Sequence, residues 1–187
     1  MNLDSNNKKF PNWKDINTII FDFDGVFTNN KVYIDQNGSE SICCDRSDGL
    51  GIHILRKFKK KMNWELDMFI LSTERNKVVT QRAKKLQINC YQDIGNKREF
   101  LINYLNSKFK DYQRAKKGSV YLGNDLNDLS VIGLTEYFIA PKNAHPIIKE
   151  NADFLIDING GEGFVRDFIE KILLLNQFDK SGVKDLI

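Results

Sequence analysis

Two carboxylates one residue apart, in the run Asp22-Phe23-Asp24-Gly25-Val26, are the most chemically charged feature of this 187-residue chain. They close the apolar, β-branched run of residues 18–23, which reads as a buried strand. Alternation along a strand points both carboxyls the same way while the chain stays extended. Two such anions at the end of a buried strand repel each other unless a cation or a proton compensates. Taken alone, a solvated Asp-Gly turn explains them equally well.

Three more strand ends carry suitable groups. Residues 67–71 run into Ser72-Thr73-Glu74, where the Ser72 hydroxyl can hold a phosphate oxygen and the following helix N-terminus favours an anion. A plain helix cap is the alternative there. Lys97 opens the next helical stretch after Gly95-Asn96, and a surface lysine is the default for such a residue. Gly123-Asn124-Asp125, with Asp128 three residues on, gathers the oxygen ligands magnesium requires, or else forms an N-cap cluster. Each signal is weak alone. An acid pair, a hydroxyl, a lysine and an acidic cluster at four successive strand ends can together build one phosphate site.

The elements that must position them follow from hydrophobic period. Strand-like runs at 18–23, 67–71, 88–91, 120–122, 137–140 and 154–156 alternate with helical stretches at 51–61, 76–86, 97–109, 126–132, 145–151 and 164–175. Residues 31–35 and 39–44 flank Gln36-Asn37-Gly38, a hairpin signal. The expected fold is α/β: a doubly wound, Rossmann-like parallel sheet with helices on both faces and a β-hairpin inserted after strand one. In such folds ligands bind outside the carboxyl ends of the strands. The chain, 1–187, reads as a single domain, with residues 1–15 as a loose leader and 28–46 as the hairpin insertion.

Composition excludes several classes. Apolar residues make up 41% and charged residues 28%, a globular mixture. The net charge of +3 is modest, and the basic run Lys57, Lys59, Lys60, Lys61 suits a solvated helix end better than a nucleic-acid patch. Cys43, Cys44 and Cys90 have neither disulfide-framework nor zinc spacing, which suits reduced thiols in the cytoplasm. The polar start lacks the core of a signal peptide, and no apolar run is long enough to span a membrane.

The four strand-end motifs resemble those of the haloacid dehalogenase superfamily of phosphatases. The hairpin, Ser47-Asp48-Gly49-Leu50-Gly51-Ile52, Asn143-Ala144-His145-Pro146, and Gly160-Gly161-Glu162-Gly163 with Arg166 extend the likeness to its capless subgroup, over roughly residues 17–176. That subgroup hydrolyses phosphates of eight- and nine-carbon 2-keto-3-deoxy sugar acids, and a similar domain follows the catalytic domain of some sialic acid cytidylyltransferases. The resemblance implies Asp22 as nucleophile, Asp24 as acid and base, and Ser72 and Lys97 as holders of the phosphoryl oxygens. It implies Mg2+ held by Asp22, Asp24, Asn124 and Asp125, with Asp128 behind them. Asn124 stands where the family usually has Asp, so this ligand would carry no charge. Substrate contacts would come from Ser47, Asp48, Gly49, Thr73, Glu74, Arg82 and Lys85. Lys85 lies eleven residues after Glu74, about three helical turns. Glu74 with Lys85 resembles the nine-carbon branch, and Arg82 would meet the substrate carboxylate. The subgroup forms homotetramers in which a neighbour closes each site.

Two other readings compete. One is a non-catalytic oligomerisation module, which the presence of both Asp22 and Asp24 disfavours. The other is a phosphate-accepting signalling receiver, which lacks an Asp-x-Asp pair and does not need this hairpin.

Overall fold

Strand β1 (Thr18–Phe21) is apolar along its whole length because it has no solvent face. The computed structural model describes residues 8–109 and 111–187. In chain order the elements are β1, β2 (Thr28–Ile34), β3 (Glu40–Cys44), α1 (Arg46–Lys61), β4 (Asp67–Leu71), α2 (Val78–Leu86), β5 (Asn89–Tyr91), α3 (Lys97–Phe109), α4 (Tyr112–Lys117), β6 (Ser119–Leu122), β7 (Tyr137–Pro141), α5 (Pro146–Asn151), β8 (Phe154–Ile156), α6 (Phe164–Leu173) and α7 (Lys180–Lys184). Six strands form one parallel sheet in the order β5-β4-β1-β6-β7-β8. Among the described residues β2 and β3 pair only with each other, as the inserted hairpin. The expected α/β fold with helices on both faces is what the chain adopts.

Alternation sorts the sheet's side chains into two cores. Ile19 and Phe21 pack with α1, α2 and α6; Ile20 packs with α3, α4 and α5. Residue 22 has the parity of Ile20, so Asp22 turns towards α3, whose first residue is Lys97. Phe23 turns the other way, into the first core. The chain builds β4 and β5 on one side of β1, then crosses to build β6, β7 and β8 on the other. The loops after β1 and β6 therefore diverge, and a crevice opens between them.

Several expectations need correction. The leader is packed from residue 8 onwards: Phe10 meets Phe154 edge-on at 5.1 Å, Trp13 lies against Phe58 and Trp64, and Lys8 pairs with Asp153 at 2.8 Å. Two large aromatics gain more by covering the core than a free leader gains in entropy; residues 1–7 lie outside the described residues. Helix α1 begins at Arg46, five residues before the apolar period shows it, because the Asp45 carboxylate caps it at the Ser47 N–H (2.6 Å). Helix α2 begins only at Val78, so Glu74 precedes it and the helical spacing to Lys85 does not apply. Helices α4 and α7 carry too little apolar period to be legible.

Candidate active site

The carboxyl ends of β1, β4 and β6 surround a cavity of 280 Å³ lined by Asp22, Asp24, Asn30, Ser72, Thr73, Glu74, Asn124, Asp125 and Asn127. At its base the Lys97 ammonium, brought in by the first turn of α3, lies 2.9 Å from Asp22 Oδ1 and 2.8 Å from Asp128 Oδ1. All three side chains are buried. Asp128 is held in turn: Tyr121 donates to Oδ1 (2.7 Å) and the Asn124 N–H donates to Oδ2 (2.9 Å). Its bonds are thus spent on the Lys97 network rather than on the cavity. Asp125 lines the cavity while its carboxylate accepts from the Leu126 N–H, capping the 3₁₀ turn Leu126–Val131.

Electrostatics sharpen this arrangement. Burial pushes the Asp22 carboxyl up to about 8, with the Asp128 charge adding and Lys97 opposing. Asp24 is also raised, by burial and then by Glu74. Burial alone would lower Lys97, but Asp22 and Asp128 outweigh it and hold the ammonium above its ordinary value. Two carboxyls that resist ionisation line one wall of the cavity. The third member of that wall is Asn124 Oδ1, a buried acceptor with no hydrogen-bond partner among the described residues. A Cβ at Gly25 would stand 1.9 Å from the Asn124 amide, so glycine there, at φ +75°, lets the side chain lie in the wall. These oxygens suit one hard divalent cation. Among the described residues no cluster of three acidic, histidine or cysteine side chains forms such a site; the side-chain donor set is mixed, the Asp22 carboxylate and the Asn124 amide.

Ser72 is buried in the cavity wall, and its hydroxyl accepts from the Glu74 N–H at 3.1 Å. Glu74 Oε1 accepts from the Arg75 and Asn76 N–H groups, fixing the carboxylate over the cavity from the β4 loop.

Seven expected site residues lie outside the cavity lining; Lys97 and Asp128 are buried at its base, and the other five belong to α1 and α2. Ser47, Asp48 and Gly49 form the first turn of α1, against the loop that opens α6, where a Cβ at Gly163 would meet Ser47 Oγ at 3.2 Å. Arg82 donates to the Asp45 carbonyl at 2.8 Å, and Lys85 is exposed on α2. Asp48 joins two helices: its Oδ1 accepts from the Arg166 N–H at 2.9 Å. Burial pushes this carboxyl up to about 6, with the Arg166 bond opposing. The folded protein therefore holds the Asp48 proton more tightly than the unfolded chain. Its stabilising contribution is full below about pH 4 and is lost as pH rises through about 6. Asp48→Asn, neutral throughout, is expected to exceed the wild type in stability at pH 8 by about 1–3 kcal/mol and to lose that advantage near pH 4. Thermal unfolding across pH measures this; a pH-independent difference would refute it.

Sequence reasoning missed Asn30, Asn127, Thr28 and Tyr121. The Thr28 hydroxyl accepts from the Gly25 and Asn30 N–H groups, both at 3.1 Å, and reaches Asp24 Oδ1 at 3.4 Å. A larger groove of 490 Å³ lies at the amino ends of β4 and β5, with Arg56, Lys59 and Lys60 in its lining. Its acid, Asp67, is already bound by Tyr104 and Lys108, so it is not free to act on a ligand in the groove.

The family of haloacid dehalogenase-like hydrolases matches residues 14–168. The chain belongs to that family. This hydrolase is 30% identical to the 3-deoxy-D-manno-octulosonate 8-phosphate phosphatase of Yersinia pestis over 85% of its own length and 80% of the relative's. Among solved structures, it resembles a HAD family hydrolase from Streptomyces avermitilis at a TM-score of 0.80 and 35% identity, covering 93% and 95% of the two chains. It also resembles the 3-deoxy-D-manno-octulosonate 8-phosphate phosphatase of Moraxella catarrhalis, solved with magnesium, phosphate and KDO, at a TM-score of 0.78 and 25% identity over 92% and 94%. Among its described residues no helix is long and apolar enough to cross a membrane.

Proposed function

We propose that this hydrolase is a magnesium-dependent phosphatase acting on a 2-keto-3-deoxy sugar acid phosphate through an aspartyl phosphate on Asp22. The observation that carries this reading is the Lys97 ammonium beside Asp22 Oδ1 at the base of the cavity that also holds Ser72 and Asp24. Asp22 attacks phosphorus, and the phosphoryl group transfers to its carboxylate. Lys97 and the Ser72 hydroxyl hold the phosphoryl oxygens and offset their charge. Asp24, whose burial favours the protonated form, gives its proton to the leaving sugar oxygen and then takes one from the water that hydrolyses the intermediate. Held by the Asp22 carboxylate, the Asn124 amide and the Asp24 backbone carbonyl, Mg2+ would neutralise carboxylate and phosphate together.

The named relatives support the eight-carbon acid; Glu74 in the cavity lining favours the nine-carbon acid as the second reading. The hairpin's exposed Val32, Tyr33 and Ile34 (51%, 56% and 68%) provide the apolar surface for a homotetramer. The test is phosphate release, with and without Mg2+, from eight- and nine-carbon keto-deoxy sugar acid phosphates and hexose phosphates. Sugar acid phosphates are expected to win, and chelation to abolish turnover. Preference for hexose phosphates, or full activity in chelator, would overturn the reading.

A further inference from the structure

We propose that Asn30 is a specificity-determining residue whose carboxamide binds a hydroxyl of the leaving polyol. The inference rests on the phosphatase reading above and extends it to the half of the substrate that departs.

Phosphorus reacts at the buried base of the cavity, where Asp22, Ser72 and Lys97 converge. The leaving group must therefore point to the rim, past the acid that protonates it. Asn30 is an exposed member of that rim and lines the same cavity. Its place beside the acid is fixed by one atom. Thr28 Oγ1 lies 3.4 Å from Asp24 Oδ1 and accepts from the Asn30 N–H at 3.1 Å. Whatever alcohol receives the Asp24 proton passes next to residue 30.

The backbone there is costly. Asn30 sits at φ 61°, in the left-handed region, where β2 and β3 lose their regular register between Thr28 and Val32. Glycine would adopt this conformation without penalty. Asparagine tolerates it better than most residues, and such strain gathers where a side chain must be aimed. The strained backbone carries a carboxamide with no hydrogen-bond partner among the described residues. Asn127 lines the same cavity, also as a neutral amide. The base of the site is thus built for charge, while Asn30 brings a neutral donor and acceptor suited to hydroxyls.

Asn30→Gly keeps the backbone conformation and removes the carboxamide. Hydrolysis of the eight-carbon sugar acid phosphate is expected to fall about 10-fold in kcat/KM, mostly through KM, as for one lost hydrogen bond. Hydrolysis of p-nitrophenyl phosphate, whose leaving group has no hydroxyl chain, should stay within about twofold, and the Tm should not fall. Equal losses on both substrates, or none on either, would overturn the proposal. If the wild type hydrolyses neither, the phosphatase reading fails instead. Calorimetry with the free eight-carbon sugar acid then decides the role of Asn30: weaker binding by Asn30→Gly upholds it, equal binding rejects it.

Discussion

Asp22→Asn is expected to cut phosphate release by at least about 10⁴-fold while the protein stays folded and becomes, at neutral pH and without metal, more stable than the wild type. The catalytic half follows from chemistry: an amide cannot form the acyl phosphate, and loss of a covalent nucleophile in other enzymes costs several orders of magnitude. The stability half follows from the buried pair. Asp22 and Asp128 share a single ammonium, and burial raises the Asp22 carboxyl to about 8. Asparagine keeps an acceptor for the Phe23 N–H (2.7 Å) and for Lys97, and it removes the repulsion. Phosphate release and thermal unfolding measured on one preparation test both halves. More than a trace of activity would refute the nucleophile; a large drop in Tm would refute the electrostatic account.

Lys97→Met should do the opposite, losing stability and activity together. The substitution leaves two buried carboxylates facing each other with no cation, a situation that costs about 3–5 kcal/mol. If Lys97 meets the phosphoryl oxygens as proposed, losing its charge costs a further 10²–10³-fold, roughly, in kcat. Adding Asp128→Asn to Lys97→Met should recover much of the stability and none of the activity. Denaturant unfolding of the single and double variants measures the coupling. Independent, additive effects would show that the two residues do not form the network seen here.

What could be read in advance depended on whether an element has one strong physical cause. β1, β4 and β6 were legible because both their faces are buried, which leaves continuous apolar runs and makes the residues just beyond them conspicuous. Lys97 was placed correctly because it opens a helix after a glycine turn; its burial was not legible, since nothing local distinguishes it from a surface lysine. Tyr121 lies in the strand-like run 120–122 and is core, but its hydroxyl also serves Asp128, a tertiary fact. Asn30 escaped notice because nothing in the types of its neighbours marks a left-handed backbone or a place in the cavity lining. Ser47, Asp48 and Gly49 were expected near substrate, yet the first turn of α1 spends Asp48 on α6. The Glu74–Lys85 spacing assumed a helix that had not yet begun.

Asp22, the proposed nucleophile, follows directly on β1, a strand with neighbours on both edges and a packed layer on each side. No local opening frees β1 without dismantling the sheet around it, so its amides should be among the slowest to exchange with solvent. Loss of turnover on heating and loss of the native state are then one event, and residual activity counts the molecules still folded.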